Sequence, residues 1–185
     1  MNPCSHLMSM GSTDRTVDHD PPSAALASFV SEVSYEDLPQ PAVRTAERSF
    51  VDTVGVMILG NTDGTGASLL ETLETRSTDP MGARVVGSDV RVTVGDAAMA
   101  NAVGGQSHDF DDVCTAMSAH PSVPLVATIL AFADDRAVTG HEAITAYVAG
   151  FETGCFLAAP ILPPHYDAGW HANSTVGTFA PTAAA

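Results

Sequence analysis

Lysine is missing from all 185 residues, and the seven basic side chains are arginines: Arg15, Arg44, Arg48, Arg76, Arg84, Arg91 and Arg136. Set against 22 acidic residues, they leave a formal charge of −15. A surface of that sign repels phosphate backbones and anionic lipid, which excludes nucleic acid and membrane surfaces as partners. Acidic composition without lysine predicts work in concentrated salt, where screening blunts self-repulsion, with ordinary acidic bias as the alternative. Cysteine is scarce too. Cys4, Cys114 and Cys155 are odd in number, far apart and without a CxxC pair. That excludes a disulfide framework and a thiolate zinc site and fits a reducing, cytoplasmic setting. Long apolar runs are also lacking. The longest, Val123 to Ala133, is too short to span a bilayer. Residues 1–22, interrupted by His6, Asp14, Arg15 and Asp18, have no signal-peptide pattern and read as a disordered leader.

What remains is globular: 45% hydrophobic and 16% charged, in one domain over 23–185. A first helix is expected over Ala24 to Val33, and a second from Pro41, a favourable first-turn proline. In the second, Val43, Ala46, Phe50, Val54 and Met57 or Ile58 recur every three or four residues, so one face is buried, and Gly60-Asn61 should stop it. Thr65 to Arg76 forms a third helix. Ala83–Gly87 and Val90–Val94, rich in valine around Gly87-Ser88-Asp89, predict a small hairpin, with an extended loop as the alternative. Asp96 is placed to cap a helix of small residues running to Ser107. Pro121 opens a helix that is apolar on every side over Val123 to Ala133. Thr139 and Glu142 form a capping box for the next. Pro160 to His171 reads as a proline-rich loop, and Thr175 to Ala185 as a helix interrupted by Pro181. The fold class is therefore all-α, bundle-like, with one short hairpin near 83–94.

Two clusters carry chemistry. The first is His108-Asp109-Phe110-Asp111-Asp112 followed by His120-Pro121-Ser122; the second is Gly169-Trp170-His171. Three acids in four residues are costly unless solvated, paired or used. His120 stands at the positive N-terminal end of a buried helix, where an anion such as a substrate carboxylate would be welcome beside a proton-transfer group. Each residue also has a structural explanation: solvated acid loop, helix-opening histidine, loop anchor. His141 and His165 are explained by a first helical turn and a proline loop. A metal set drawn from His108, Asp109, Asp111, Asp112, His120 and His171 is the third possibility, although no HExxH or EF-hand spacing supports it.

The order His-x-Phe-Asp-Asp, then His-Pro-Ser before an apolar helix, then Gly-Trp-His with Gly-Thr-Phe behind it, resembles the MmgE/PrpD family. Tyr35-Glu36-Asp37-Leu38-Pro39, Val51-Asp52-Thr53-Val54-Gly55-Val56 and Asp96-Ala97-Ala98-Met99-Ala100-Asn101 extend the likeness from about residue 24 to 185. The family includes 2-methylcitrate dehydratase, cis-aconitate decarboxylase and iminodisuccinate epimerase. The resemblance implies the helical N-terminal part of a large domain, a smaller lid domain and a homodimer in the full-length enzyme. It also implies elimination, decarboxylation or epimerisation of a small di- or tricarboxylate, with no cofactor and no metal. By motif, Asp109, His120 and His171 are the catalytic candidates. His108, Asp112, Ser122 and Trp170 beside them are the substrate-binding candidates.

Two departures stand out. Val113 occupies the place of a threonine that follows the aspartates in many members, and Ala180-Pro181 replaces a Gly-Ala pair. The family's lysine and tyrosine site positions and its lid lie further along than residue 185. The expectation is thus a lyase-type chain, or alternatively a truncated, catalytically incomplete helical or partner-binding module.

Overall fold

The computed structural model describes residues 21–76 and 78–185. The leader expectation lies outside the described residues as far as position 20. Its last residue, Pro22, already opens helix α1 (Pro22–Glu32), because proline at the first helical position brings a helical φ and gives up no hydrogen bond. A 3-10 turn at Tyr35–Asp37, capped by Ser34 and Asp37, leads into α2 (Gln40–Thr62). The expected face is seen: Val43, Ala46 and Met57 are buried, and Phe50 and Val54 pack against them.

Gly60-Asn61 does not end α2, which continues to Thr62. Gly60 serves helix contact instead. A Cβ there would overlap the carbonyl of Gly104 on α4 (Val94–Gln106). Asn61 donates to the Val86 carbonyl at 2.9 Å. Helix α3 (Thr65–Arg76) matches expectation.

The hairpin exists, but its strands are placed differently: β1 is Thr78–Arg84 and β2 only Arg91–Val92. They are antiparallel, with Ala83 opposite Val92 and Arg84 opposite Arg91. Val85 still donates to Val90 at 3.0 Å, and Gly87 turns with φ 82. Beyond Arg84 the backbone finds side-chain partners on the helices. Asn101, fully buried on α4, accepts from Val86 N at 2.8 Å and donates to the Arg84 carbonyl at 3.2 Å. A helix asparagine thus takes the place of a partner strand, which shortens β2.

Thr93, not Asp96, caps α4. Its hydroxyl accepts from Asp96 N at 3.2 Å and donates to the Asp96 carboxylate at 2.9 Å, so Asp96 is the second half of the cap. Helix α5 (Ser122–Asp135) has no exposed residue until its last turn. Helix α6 (Gly140–Ala158) starts with the expected Thr139–Glu142 capping box. The proline stretch contains one further turn of helix, α7 (Pro164–Asp167), after a cis Leu162–Pro163 bond. Helix α8 (Ala172–Ala184) begins earlier than expected because His171 caps it, and it runs through Pro181.

Three apolar clusters hold these elements. Met57, Leu125, Val126, Ile129 and Tyr147 join α2, α5 and α6. Leu70, Leu73, Val85, Val92 and Ala97 seat the hairpin between α3 and α4. Met117, Ala119, Cys155, Ala158, Ala172 and Val176 lie under the acidic loop. The outcome is all-α with one small hairpin. Among the described residues, no helix is long and apolar enough to cross a membrane.

Candidate active site

The site grows from the loop between α4 and α5. Asp109 leaves the end of α4 with φ 55, a left-handed conformation that aspartate tolerates better than most residues. The chain then runs out and doubles back. Cys114 and Ala119 form an isolated antiparallel bridge, with Cys114 N donating to the Ala119 carbonyl at 2.9 Å and Ser118 turning at φ 47. Met117, fully buried at the tip, fixes this turn to α6 and α8. The reversal is what returns His120 to the aspartates.

His120 lies with one ring nitrogen toward each of two carboxylates. Nδ1 is 3.5 Å from Asp111 Oδ1, and Nε2 is 3.8 Å from Asp109 Oδ1. The carboxylates differ sharply in surroundings: the Asp109 side chain is 87% exposed, that of Asp111 only 1%. Burial pushes the Asp111 carboxyl above the usual carboxylate range, while nearby His120 draws it back down. Both Asp111 oxygens and His120 Nδ1 are buried without a hydrogen-bond partner among the described residues. The His120 backbone is fixed separately, by N–H donation to Asn173 Oδ1 at 2.7 Å.

The N-terminal end of α5 does attract an anion, and that anion is Asp112. Its carboxylate accepts from Ser122 N at 3.0 Å and from Ser122 Oγ at 2.6 Å. The Ser122 hydroxyl also meets the Tyr147 hydroxyl at 2.7 Å. Tyr147 is bonded to Ser49 as well, and burial holds its phenol above the ordinary range. Asp112 and Ser122 thereby tie the acidic loop to α5, α6 and α2, with Ser122 itself buried.

The other candidates are spread around this centre. His171 Nδ1 accepts from Asn173 N at 3.3 Å, so Asn173 links the second histidine motif to the backbone of the first. Trp170 is 61% exposed and stacks at 6.3 Å on His165, whose Nε2 meets Thr175 Oγ1 at 2.8 Å. His108 is engaged by the Asp63 carbonyl at the end of α2. Phe110 and Val113 are exposed on either side of the aspartates. Sequence reasoning named Asp111 only as a possible metal ligand, not as a catalytic or substrate-binding group, and passed over Asn173 and Tyr147. Position in a crowded acid run hinted at Asp111; nothing in the local pattern marked the other two.

One ligand atom each from Asp109, Asp111 and His120 falls within 4.8 Å of the others, so this cluster has the donors a metal would need. Below the loop, Cys114 accepts a hydrogen bond from Cys155, which lowers its thiol to about 6. Burial, with the Cys114 charge nearby, raises Glu152 to about 7. An open recess of about 590 Å³ on α2, lined by Glu47, Arg48, Ser49, Val51 and Asp52, contains none of these groups.

No curated protein matches this chain. The model of the MmgE/PrpD N-terminal domain matches it over residues 24–185, which takes in the acidic loop, both histidine motifs and every helix from α2 onward. The chain belongs to the MmgE/PrpD family.

Proposed function

We propose that this chain carries the proton-transfer part of a lyase-type site that acts on a small di- or tricarboxylate, in the manner of 2-methylcitrate dehydratase and without a metal. The observation that carries the reading is the His120 imidazole held between the carboxylates of Asp109 and Asp111. Elimination beside a carboxylate needs a base for a carbon-bound proton. The electron pair left on carbon is taken up by the adjacent carboxylate and then expels the leaving group. Imidazole is the side chain whose ordinary proton exchange falls near neutrality, which suits it to that step. His171, joined to His120 through Asn173, is the second acid–base group in this reading. Exposed Trp170 and half-buried His108 and Asp112 border the space for substrate. In this reading the enzyme in its full-length form is a homodimer that works in the cytoplasm.

The test is turnover of 2-methylcitrate, cis-aconitate and iminodisuccinate, with His120→Ala and His171→Ala each lowering kcat by at least about 100-fold. Unchanged rates in both variants would refute the assignment. One observation favours the second reading, a non-catalytic helical or partner-binding module. The chain has no lysine, and Arg84, Arg91 and Arg136 are engaged with Asp134, the Gly82 carbonyl and Phe132. Polycarboxylates bind best where cations meet them. Turnover by this chain alone would remove that reading.

A further inference from the structure

We infer that Asp111 is a positioning residue for His120: it accepts the proton on Nδ1 and so leaves Nε2 as the basic nitrogen on the Asp109 side. This rests on reading His120 as the proton-transfer group. A carboxylate with both oxygens buried and unpartnered is strongly disfavoured, and a lone buried imidazole nitrogen less so. Here the two orphans face one another at 3.5 Å. A closure of a few tenths of an ångström turns the contact into an N–H···O bond that satisfies Nδ1 and Oδ1. Only the Nδ1–H tautomer allows it while Asp111 is charged, because a bare Nδ1 would set a lone pair against a carboxylate.

The remaining charged neighbours agree with this arrangement. Asp109 is almost fully solvated, so it places no comparable demand for a proton on Nε2. Asp112 has spent its acceptors on Ser122. His120 backbone N–H is held by Asn173, so ring orientation is left for Asp111 to fix. A carboxylate that fixes tautomer and orientation and then stabilises the imidazolium is the general arrangement of acid–histidine catalytic pairs.

Side-chain ¹⁵N NMR of backbone-assigned His120 tests the inference without any need for turnover. The neutral ring is expected as the Nδ1–H tautomer in the parent protein. Asp111→Leu puts an apolar side chain of similar size in the buried place and should shift the ring toward Nε2–H. A parent protein with Nε2 protonated, or a tautomer unmoved by Asp111→Leu, would overturn the inference. Where the parent turns over a carboxylate, the same variant should lower kcat by about 100-fold with KM changed far less. If the parent has no turnover, the functional reading fails while the tautomer result still decides the role of Asp111.

Discussion

Two glycines five residues apart on α2 should respond to the same substitution with opposite signs. Gly55 is exposed, and a Cβ built on it meets nothing within 4 Å. Gly55→Ala should therefore gain the full difference in helix propensity, about 1 kcal/mol. Gly60 is buried, and its Cβ would overlap the Gly104 carbonyl oxygen and lie 2.9 Å from Ser107 Cβ. Added bulk in a packed interior costs about 1–3 kcal/mol where side chains can yield. Here the obstacle is backbone, so the upper end applies. The helix–helix contact must open, which also strains the bond from Asn61 to Val86. Against a propensity gain of about 1 kcal/mol, the net effect of Gly60→Ala is a loss of about 2 kcal/mol or more. For a domain of this size, Tm should rise by about 2–4 °C for Gly55→Ala and fall by about 4–8 °C for Gly60→Ala. Thermal unfolding followed by far-UV circular dichroism reads both. A shift in the same direction for both variants would refute the close crossing of α2 and α4.

Three further outcomes follow from groups away from that crossing. Glu152 is raised from 4.5 to about 7, so the folded state holds its proton more tightly and loses stability as pH climbs through that window. Glu152→Gln should flatten the fall and be more stable than the parent at pH 8 by about 2–3 kcal/mol, whereas equal urea midpoints at pH 8 would contradict the raised value. Cys114 should react with iodoacetamide with a midpoint near pH 6 rather than 9.0, moving upward in Cys155→Ala; an ordinary midpoint in the parent would sink the thiol pairing. Raising sodium chloride from 0.1 M to 1 M, which shortens the screening length from about 10 to about 3 Å, should raise Tm in a chain of charge −15, and a flat response would argue against salt adaptation.

Much of the fold could be read along the chain because its signals are local. The Thr139–Glu142 box, the Thr65 to Arg76 span and the apolar α5 each depend on residues within a few positions of one another. The misread features depend on distant partners. Gly60-Asn61 looks like a helix stop until Gly104 and Val86 are placed beside it. The second strand is short because Asn101, on a helix, does a strand's bonding. Thr93 outranks Asp96 as a cap because Asp96 already sits one turn inside. At the site, His120 and Asp109 could be named from motif order, and the structure brings them to 3.8 Å. The difference between Asp109, Asp111 and Asp112 was invisible in sequence. It is made by depth: one is in water, one is buried, and one sits on the end of α5.

The bond from His120 N to Asn173 joins residues 53 apart in the chain. Its consequence concerns the order in which the molecule is made. That amide finds its acceptor only when the start of α8 docks onto the loop that precedes α5, and closing that span has an entropic cost. Local opening that releases α8 frees the amide again. The exchange rate of this one amide hydrogen is therefore a clock for the docking of α8, and it marks how often the two histidine motifs part company while the rest of the chain stays folded.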